Sequence, residues 1–381
     1  MIDSAIQKIL DGEEFRQKHT IELIASENYT SDDVRELCGS IFTNKYAEGL
    51  PGKRFYNGCE YADDIERLAI LYATRLFGSS YANVQAHSGA NANLAVFKAF
   101  LNPGDTVLGL DLANGGHLSH GSHVNVSGKW FNGVKYHVNN AGIIDYDEVE
   151  RLALEHRPKI IIAGASAYSR EIAWHTFRGI ADKCGAIFLA DISHYSGLIA
   201  AGKYPSAFPH ADIVTTTTHK TLRGPRGGMI LWNNEEYSAH INNAIFPGTQ
   251  GGPLMHIIAA KAQCLHEAMQ PEFRTYADNV IKNARAMVEE FKKAGVNIVS
   301  DGTDCHMFTL DLGIEKYSGK EYANLLEKHG ITVNKNAVPG ELRSFVETSG
   351  VRIGTAAETT RGHNEQWFRD LAIRMVDLLR N

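Results

Sequence analysis

Six short runs of β-branched and aliphatic residues recur near residues 81, 105, 159, 186, 212 and 227, alternating with stretches of helical periodicity. That alternation restricts the fold to a mostly parallel sheet covered by helices on both faces, with ligands at the carboxyl ends of the strands. Two of those ends carry unusual chemistry. The apolar run Ala186 to Ala190 delivers Asp191, and the run Thr215 to His219 delivers Lys220 before the chain breaks into Gly224, Pro225, Gly227 and Gly228. An amine that can form a Schiff base and a carboxylate that keeps a pyridine nitrogen protonated are the two groups that pyridoxal phosphate chemistry needs. A strand-end lysine alone is commonly structural, so the pair and its surroundings carry the reading.

The bulk properties narrow the class. With 381 residues, 44% of them hydrophobic, the chain has core-forming capacity for two domains. We divide it into residues 1–270, an N-terminal arm and a large cofactor domain, and 271–381, a bridging helix and a small α/β domain. A net charge of −6 with dispersed lysines and arginines predicts no nucleic-acid surface. The five cysteines are scattered without a CxxC pair, which fits a reducing cytoplasm. The first residues run into an amphipathic helix rather than the apolar core of a signal peptide, and no run of 18 apolar residues predicts a membrane span.

The segment Thr215 to Gly228 is similar to the cofactor-lysine segment of the serine hydroxymethyltransferases. The resemblance extends from Ile21–Tyr29 to Thr359–Gly362, nearly the whole chain. It implies the fold-type I architecture, a mostly parallel seven-stranded sheet with a smaller C-terminal α/β domain. It implies pyridoxal phosphate as cofactor, and interconversion of serine and glycine with tetrahydrofolate as the one-carbon acceptor. The assembly implied is a homodimer with shared sites, or a tetramer of such dimers.

By the same resemblance, Lys220 holds the cofactor, Asp191 faces its ring nitrogen, and His194 stands beside Asp191. Thr217 and His219 orient or protonate groups around the lysine, His117 stacks on the ring, and Ser166 lies near the ring hydroxyl. Ser88, Gly89 and Ala90 form the phosphate loop. Small residues at a strand-to-helix junction expose N–H groups to an anion, as they also do in an ordinary turn. Ser26 and Glu27 lie near the substrate, Arg352 grips its carboxylate, and Asn336 contacts folate. The aperiodic stretch Thr43 to Glu60 is a shaped loop reaching a neighbouring subunit's site, with Tyr46 on the phosphate, Glu48 as the acid and Tyr56 over the substrate. Gly251 and Gly252 approach the partner's phosphate through backbone N–H groups.

The chain departs from the family pattern at several of these places. Ala90 stands where a serine is usual, which predicts a loss of about 1 kcal/mol in cofactor binding. Leu50 replaces an aromatic, and Ser193, Tyr195 and Ser196 replace small apolar residues. The loop Pro339 to Glu347 lacks the Ser-Pro-Phe signature, and Ala356 replaces a proline. His117, His120 and His123 invite a metal reading, but the glycines among them break any helix that would align them, so no metal is expected. Relatives continue a few dozen residues beyond Asn381, and the core is expected to fold without them. Two alternatives stay open: a folate-independent aldolase for β-hydroxy amino acids, and a catalytically silent relative acting as a binding protein.

Overall fold

The computed structural model describes residues 1–380. Its main sheet has seven strands, Tyr81–Asn83, Thr106–Leu110, Asn132–Tyr136, Ile160–Ala163, Ile187–Asp191, Ile213–Thr217 and Gly228–Trp232. In space they run first, seventh, sixth, fifth, fourth, second, third. Only Gly228–Trp232 opposes its neighbours, pairing antiparallel with Ile213–Thr217 and Tyr81–Asn83. Six strands match the apolar runs. The seventh, Asn132–Tyr136, is an edge strand with a polar, partly exposed start, so its signal is too weak to read from composition.

The central strands are fully buried β-branched and aliphatic runs, as a sheet covered on both faces demands. Phe177 and Phe188 stack beside Trp174 and Tyr136 beneath it. Side chains of this size each contribute roughly 1.5–3 kcal/mol on burial, so packing holds the strand ends in fixed relation. A second core gathers Leu23, Met287, Phe291, Phe308, Tyr322 and Phe368 around a four-stranded antiparallel sheet of Asn297–Ile298, Met307–Asp311, Asn334–Asn336 and Gly350–Gly354. The helix Pro271–Lys293 spans both cores, with Phe273 to Ile281 in the first and Met287 to Phe291 in the second.

The arm behaves differently from its helix. Ser4–His19 buries no residue, whereas Ile21–Glu22 pairs in parallel with Ile331–Thr332 and Leu23 enters the small core. On the helix Glu60–Phe77 the apolar positions Ile65, Ala69, Tyr72 and Leu76 pack against the core as helical periodicity predicts, while Leu68 is exposed. Glu66 is drawn inward beside them, held by Arg54 at 2.6 Å and Gln85 at 2.7 Å. No helix among the described residues is long and apolar enough to cross a membrane.

Candidate active site

The strand ends open into a cavity of about 520 Å³. Thirteen of the expected residues line it: Ser26, Glu27, Ser88, Gly89, Ala90, His117, Ser166, Asp191, His194, Thr217, His219, Lys220 and Arg352. They come from the arm, five strand ends of the main sheet and the small sheet, segments more than three hundred residues apart at the extremes.

Lys220 stands three residues beyond the strand Ile213–Thr217, which carries it to the rim. It is nearly buried, and no hydrogen bond or ion pair holds its amine among the described residues. Burial draws its pKa down to about 8, helped by Arg352 and Arg226 and opposed by Asp191. Asp191 sits at the end of its own strand with both oxygens occupied. Oδ2 accepts from Asn93 Nδ2 and faces His120 Nε2, each at 2.9 Å, while Oδ1 accepts from Ser193 Oγ at 2.5 Å. Burial works against its charge, but His120, His117 and Ser193 more than reverse this and hold the carboxyl well below the usual carboxylate range.

Three imidazoles around this pair are kept neutral. His117 is pushed down to about 4 by burial and by the nearby cationic groups, and its Nδ1 lies 2.7 Å from Ser119 Oγ. His219 is pushed down to about 3 by burial, Arg226 and Lys220, and accepts from Gly227 N. His194 is likewise held neutral by burial and by Lys220 and Arg352, with Nδ1 3.3 Å from His306 Nε2. A neutral ring can lie against an aromatic face or share a hydrogen bond without adding charge to a site already lined by Lys220, Arg226 and Arg352.

At the anion end, Ser88 caps the twelve-residue helix Gly89–Phe100 by accepting from Asn91 N. The helix start presents backbone N–H groups to the cavity with the positive end of its dipole behind them. Gly89 must be glycine, because a Cβ there would stand 2.7 Å from Thr217 Cγ2. At the opposite wall, Arg352 on the strand Gly350–Gly354 donates to Asn334 Oδ1 at 3.0 Å and to the Ser166 carbonyl at 2.6 Å. It pairs with no carboxylate among the described residues, and burial draws its pKa down to about 10. A guanidinium offers the planar pair of donors that a carboxylate can accept from.

Five expected residues gather elsewhere. Tyr56 donates to Glu48 Oε2 at 3.1 Å, the Tyr46 and Tyr56 rings meet edge-on at 5.2 Å, Gly251 lies against Glu48 and Gly252 against Tyr46. None of the five lines the Lys220 cavity, and Tyr46 and Tyr56 are 58% and 46% exposed. Their loop is nonetheless held firmly from beneath, since Arg54 donates to the carbonyls of Ala47 and Gly49 as well as to Asp63 and Glu66. Asn336 lies in an adjoining hollow of about 300 Å³ that shares His117 and Ser166 with the main cavity and is walled by Leu112, Leu118 and Phe345.

Several contributors escape a reading of the chain. His120 shows only as one of three spaced histidines, and its partner Asp191 is 71 residues away. Asn93 looks like any helix residue, yet it links Asp191 to Thr215 and Ser119. His306, from the small sheet, reaches His194 and the Ala25 carbonyl and carries no sequence signal.

Comparison with known proteins agrees with this arrangement. The family model described as serine hydroxymethyltransferase matches residues 1–375. The serine hydroxymethyltransferase of Lactobacillus gasseri is 55% identical over 379 residues, covering 99% of this chain and 92% of that protein. Serine hydroxymethyltransferase 1 of Pseudomonas aeruginosa is 56% identical over 379 residues, 99% and 91%. The Marinobacter nauticus serine hydroxymethyltransferase is 57% identical over 381 residues, 100% and 91%. With fold, strand-end lysine and aspartate, and full-length similarity in agreement, the chain belongs to the serine hydroxymethyltransferase family.

Proposed function

We propose that this serine hydroxymethyltransferase works in the Lys220 cavity, with pyridoxal phosphate as cofactor and tetrahydrofolate as one-carbon acceptor. The observation that carries the reading is a convergence in one cavity: an amine drawn toward neutrality, a carboxylate locked in its charged form, a helix N-terminus and an arginine without an anion. These residues fit the cofactor group by group. Lys220 would hold it covalently through Nζ, Asp191 its ring nitrogen, His117 its ring face, Ser166 and His194 its hydroxyl side, and Ser88, Gly89 and Ala90 its phosphate. When bound, pyridoxal phosphate supplies an electron sink that lets a bond at the amino acid's α-carbon break heterolytically.

The chain's own residues do the remaining work. A lysine with a pKa near 8 is partly neutral at physiological pH, so it can act as a nucleophile and carry a proton back to Nζ. Asp191, ionised throughout the working range, keeps a proton on the nitrogen facing it. Arg352 receives the carboxylate of serine or glycine, and Ser26 and Thr217 border the reacting end, with His219 beside Lys220. Glu48, with Tyr46 and Tyr56, acts in the cavity of a second copy, Glu48 as proton donor to the one-carbon unit. Supporting this is their place on an exposed, braced loop outside their own chain's cavity, beside Gly251 and Gly252. The assembly is therefore a homodimer with shared sites, or a tetramer built from it.

The hollow around Asn336 takes the pterin. It adjoins the cavity through His117 and Ser166, and couples an amide to an apolar wall as a flat heteroaromatic ring requires. The bridging helix and the separate small core support a division of the chain at residues 270 and 271. Five unpaired cysteines, three of them buried, suit a reducing cytoplasm.

Absorption spectra of the purified protein test the reading. Added pyridoxal phosphate should give a stable visible band that survives gel filtration, and a longer-wavelength band should appear only when glycine and tetrahydrofolate are both present. A spectrum that answers to amino acids but ignores folate would replace the pterin assignment with a folate-independent aldolase. No cofactor band at all would sink the site assignment.

A further inference from the structure

Lys261 is a buried amine with no part in the chemistry above. It lies on the helix Met255–Ala268, which follows the Gly251 and Gly252 loop, and is 1% exposed. Its Nζ donates to three backbone carbonyls, Val84 at 2.6 Å, Ala86 at 3.0 Å and Gly228 at 2.9 Å. Three acceptors match the three hydrogens of an ammonium, whereas a neutral amine would turn its lone pair on one of the carbonyls. Burial draws its pKa down to about 7, with Glu66 opposing, and the carbonyl cage favours the charged form over that.

The carbonyls it holds belong to two segments whose neighbours Ser88 and Lys220 line the same cavity. Ala86 stands two residues before Ser88, the cap of the helix Gly89–Phe100, and Gly228 N donates back to the Ala86 carbonyl at 3.0 Å. Gly227 accepts from Thr218 N at 3.1 Å, closing the loop that carries Lys220. Room for the amine exists only because residue 227 is glycine, since a Cβ there would stand 2.4 Å from Lys261 Cε.

We propose that Lys261 is a positioning residue of the phosphate cradle, a buried cation that clamps the backbone entering the Gly89–Phe100 helix and favours a phosphomonoester over an uncharged group at its N-terminus. Its charge acts through protein rather than water, where screening is weak. The inference rests on the reading of Ser88, Gly89 and Ala90 as the phosphate site.

The test compares dissociation constants of the cofactor-free protein for pyridoxal 5′-phosphate and for pyridoxal, which lacks the phosphate. In Lys261→Met, binding of the phosphorylated compound should weaken by about tenfold or more, while pyridoxal changes little, so the preference for phosphate falls. Lys261→Gln, which keeps two donors without the charge, should lose much of the same preference. Equal weakening of both ligands, or an unchanged ratio in the folded variants, overturns the proposal and leaves Lys261 a structural tie. Failure of both variants to fold would do the same. A wild-type protein that binds the two compounds equally, with Ser88→Ala making no difference, would instead bring down the phosphate-site reading and this inference with it.

Discussion

The Lys220 cavity and the Tyr46 to Tyr56 loop contain comparable sets of polar and ionisable groups in opposite environments. In the cavity, Asp191 is buried with donors on both oxygens, and His117, His194 and His219 are held neutral by burial and nearby cations. On the loop, Glu48 has one side-chain partner, Tyr56, and the aromatic rings stand in the open above a buried brace of Arg54 and Glu66. A site finished within one chain can be buried and satisfied on folding. A half-site meant for a second copy must be rigid at its base yet open at its tip, because its final partners arrive only on assembly.

The largest test of that contrast separates the two sets into different chains. Lys220→Ala and Glu48→Gln should each lower turnover by on the order of 10³-fold, and Lys220→Ala should also lose the gel-filtration-stable visible band. Coexpressing the two variants should restore roughly a quarter of wild-type turnover, since random pairing makes half the dimers hybrids with one complete site. No recovery in verified hybrids would show that Glu48 serves its own chain's cavity.

A second prediction concerns pH. The Lys220 amine of the cofactor-free protein should react with a small acylating reagent along a curve centred near pH 8, well below an ordinary lysine. The direction follows from the sign: the folded site disfavours the ammonium, so raising pH through about 8 frees the amine. Peptide mapping of the labelled residue checks it, and a midpoint near that of surface lysines would remove the basis for its nucleophilic role.

The loop brace comes next. Glu66→Ala leaves Arg54 buried with only Asp63 as a charge partner, and should destabilise the fold by about 3 kcal/mol in denaturant unfolding. Turnover should fall further than cofactor binding, because the damage lies under Glu48 rather than under Lys220. Equal losses in both would show that the two regions are not independent.

Ser193→Ala should have the smallest effect. It removes the 2.5 Å hydrogen bond to Asp191 and an acceptor for Thr217 N, costing about 1–2 kcal/mol at neutral pH. Ser193 helps depress the Asp191 pKa, and stability from a depressed carboxylate is present above its unfolded pKa and lost as pH falls through the folded one. The variant starts with less of that stability and should therefore unfold at a higher pH than wild type on acidification, although its loss per unit of pH ends sooner. Acid unfolding curves of the two proteins measure the offset.

Much of this molecule was legible before folding was considered. The six apolar runs, the bridging helix from Pro271 and the Lys220 and Asp191 strand ends are local patterns, set by periodicity over a handful of residues. The burial of Glu66 on the helix Glu60–Phe77 is not legible, because an apolar stripe cannot announce that a glutamate will be paired with Arg54 from a neighbouring hairpin. The edge strand Asn132–Tyr136 has no apolar run of its own and exists because Thr106–Leu110 offers it a free edge.

By itself, the sequence determined which residue types reach the strand ends and, through its resemblance, which chemistry they serve. Those facts depend on side-chain identity and short-range periodicity, which a linear string records. Only the tertiary structure decided that His120, Asn93 and Ser193 converge on Asp191, that His306 reaches His194, and that Lys261 ties Val84 and Ala86 to Gly228. It also decided that thirteen expected residues share one cavity while Tyr46, Glu48 and Tyr56 stand outside it. The physical reason is distance along the chain: electrostatic environment and hydrogen bonding depend on groups brought close by packing, and no local pattern encodes which distant carbonyl or carboxylate a side chain will meet.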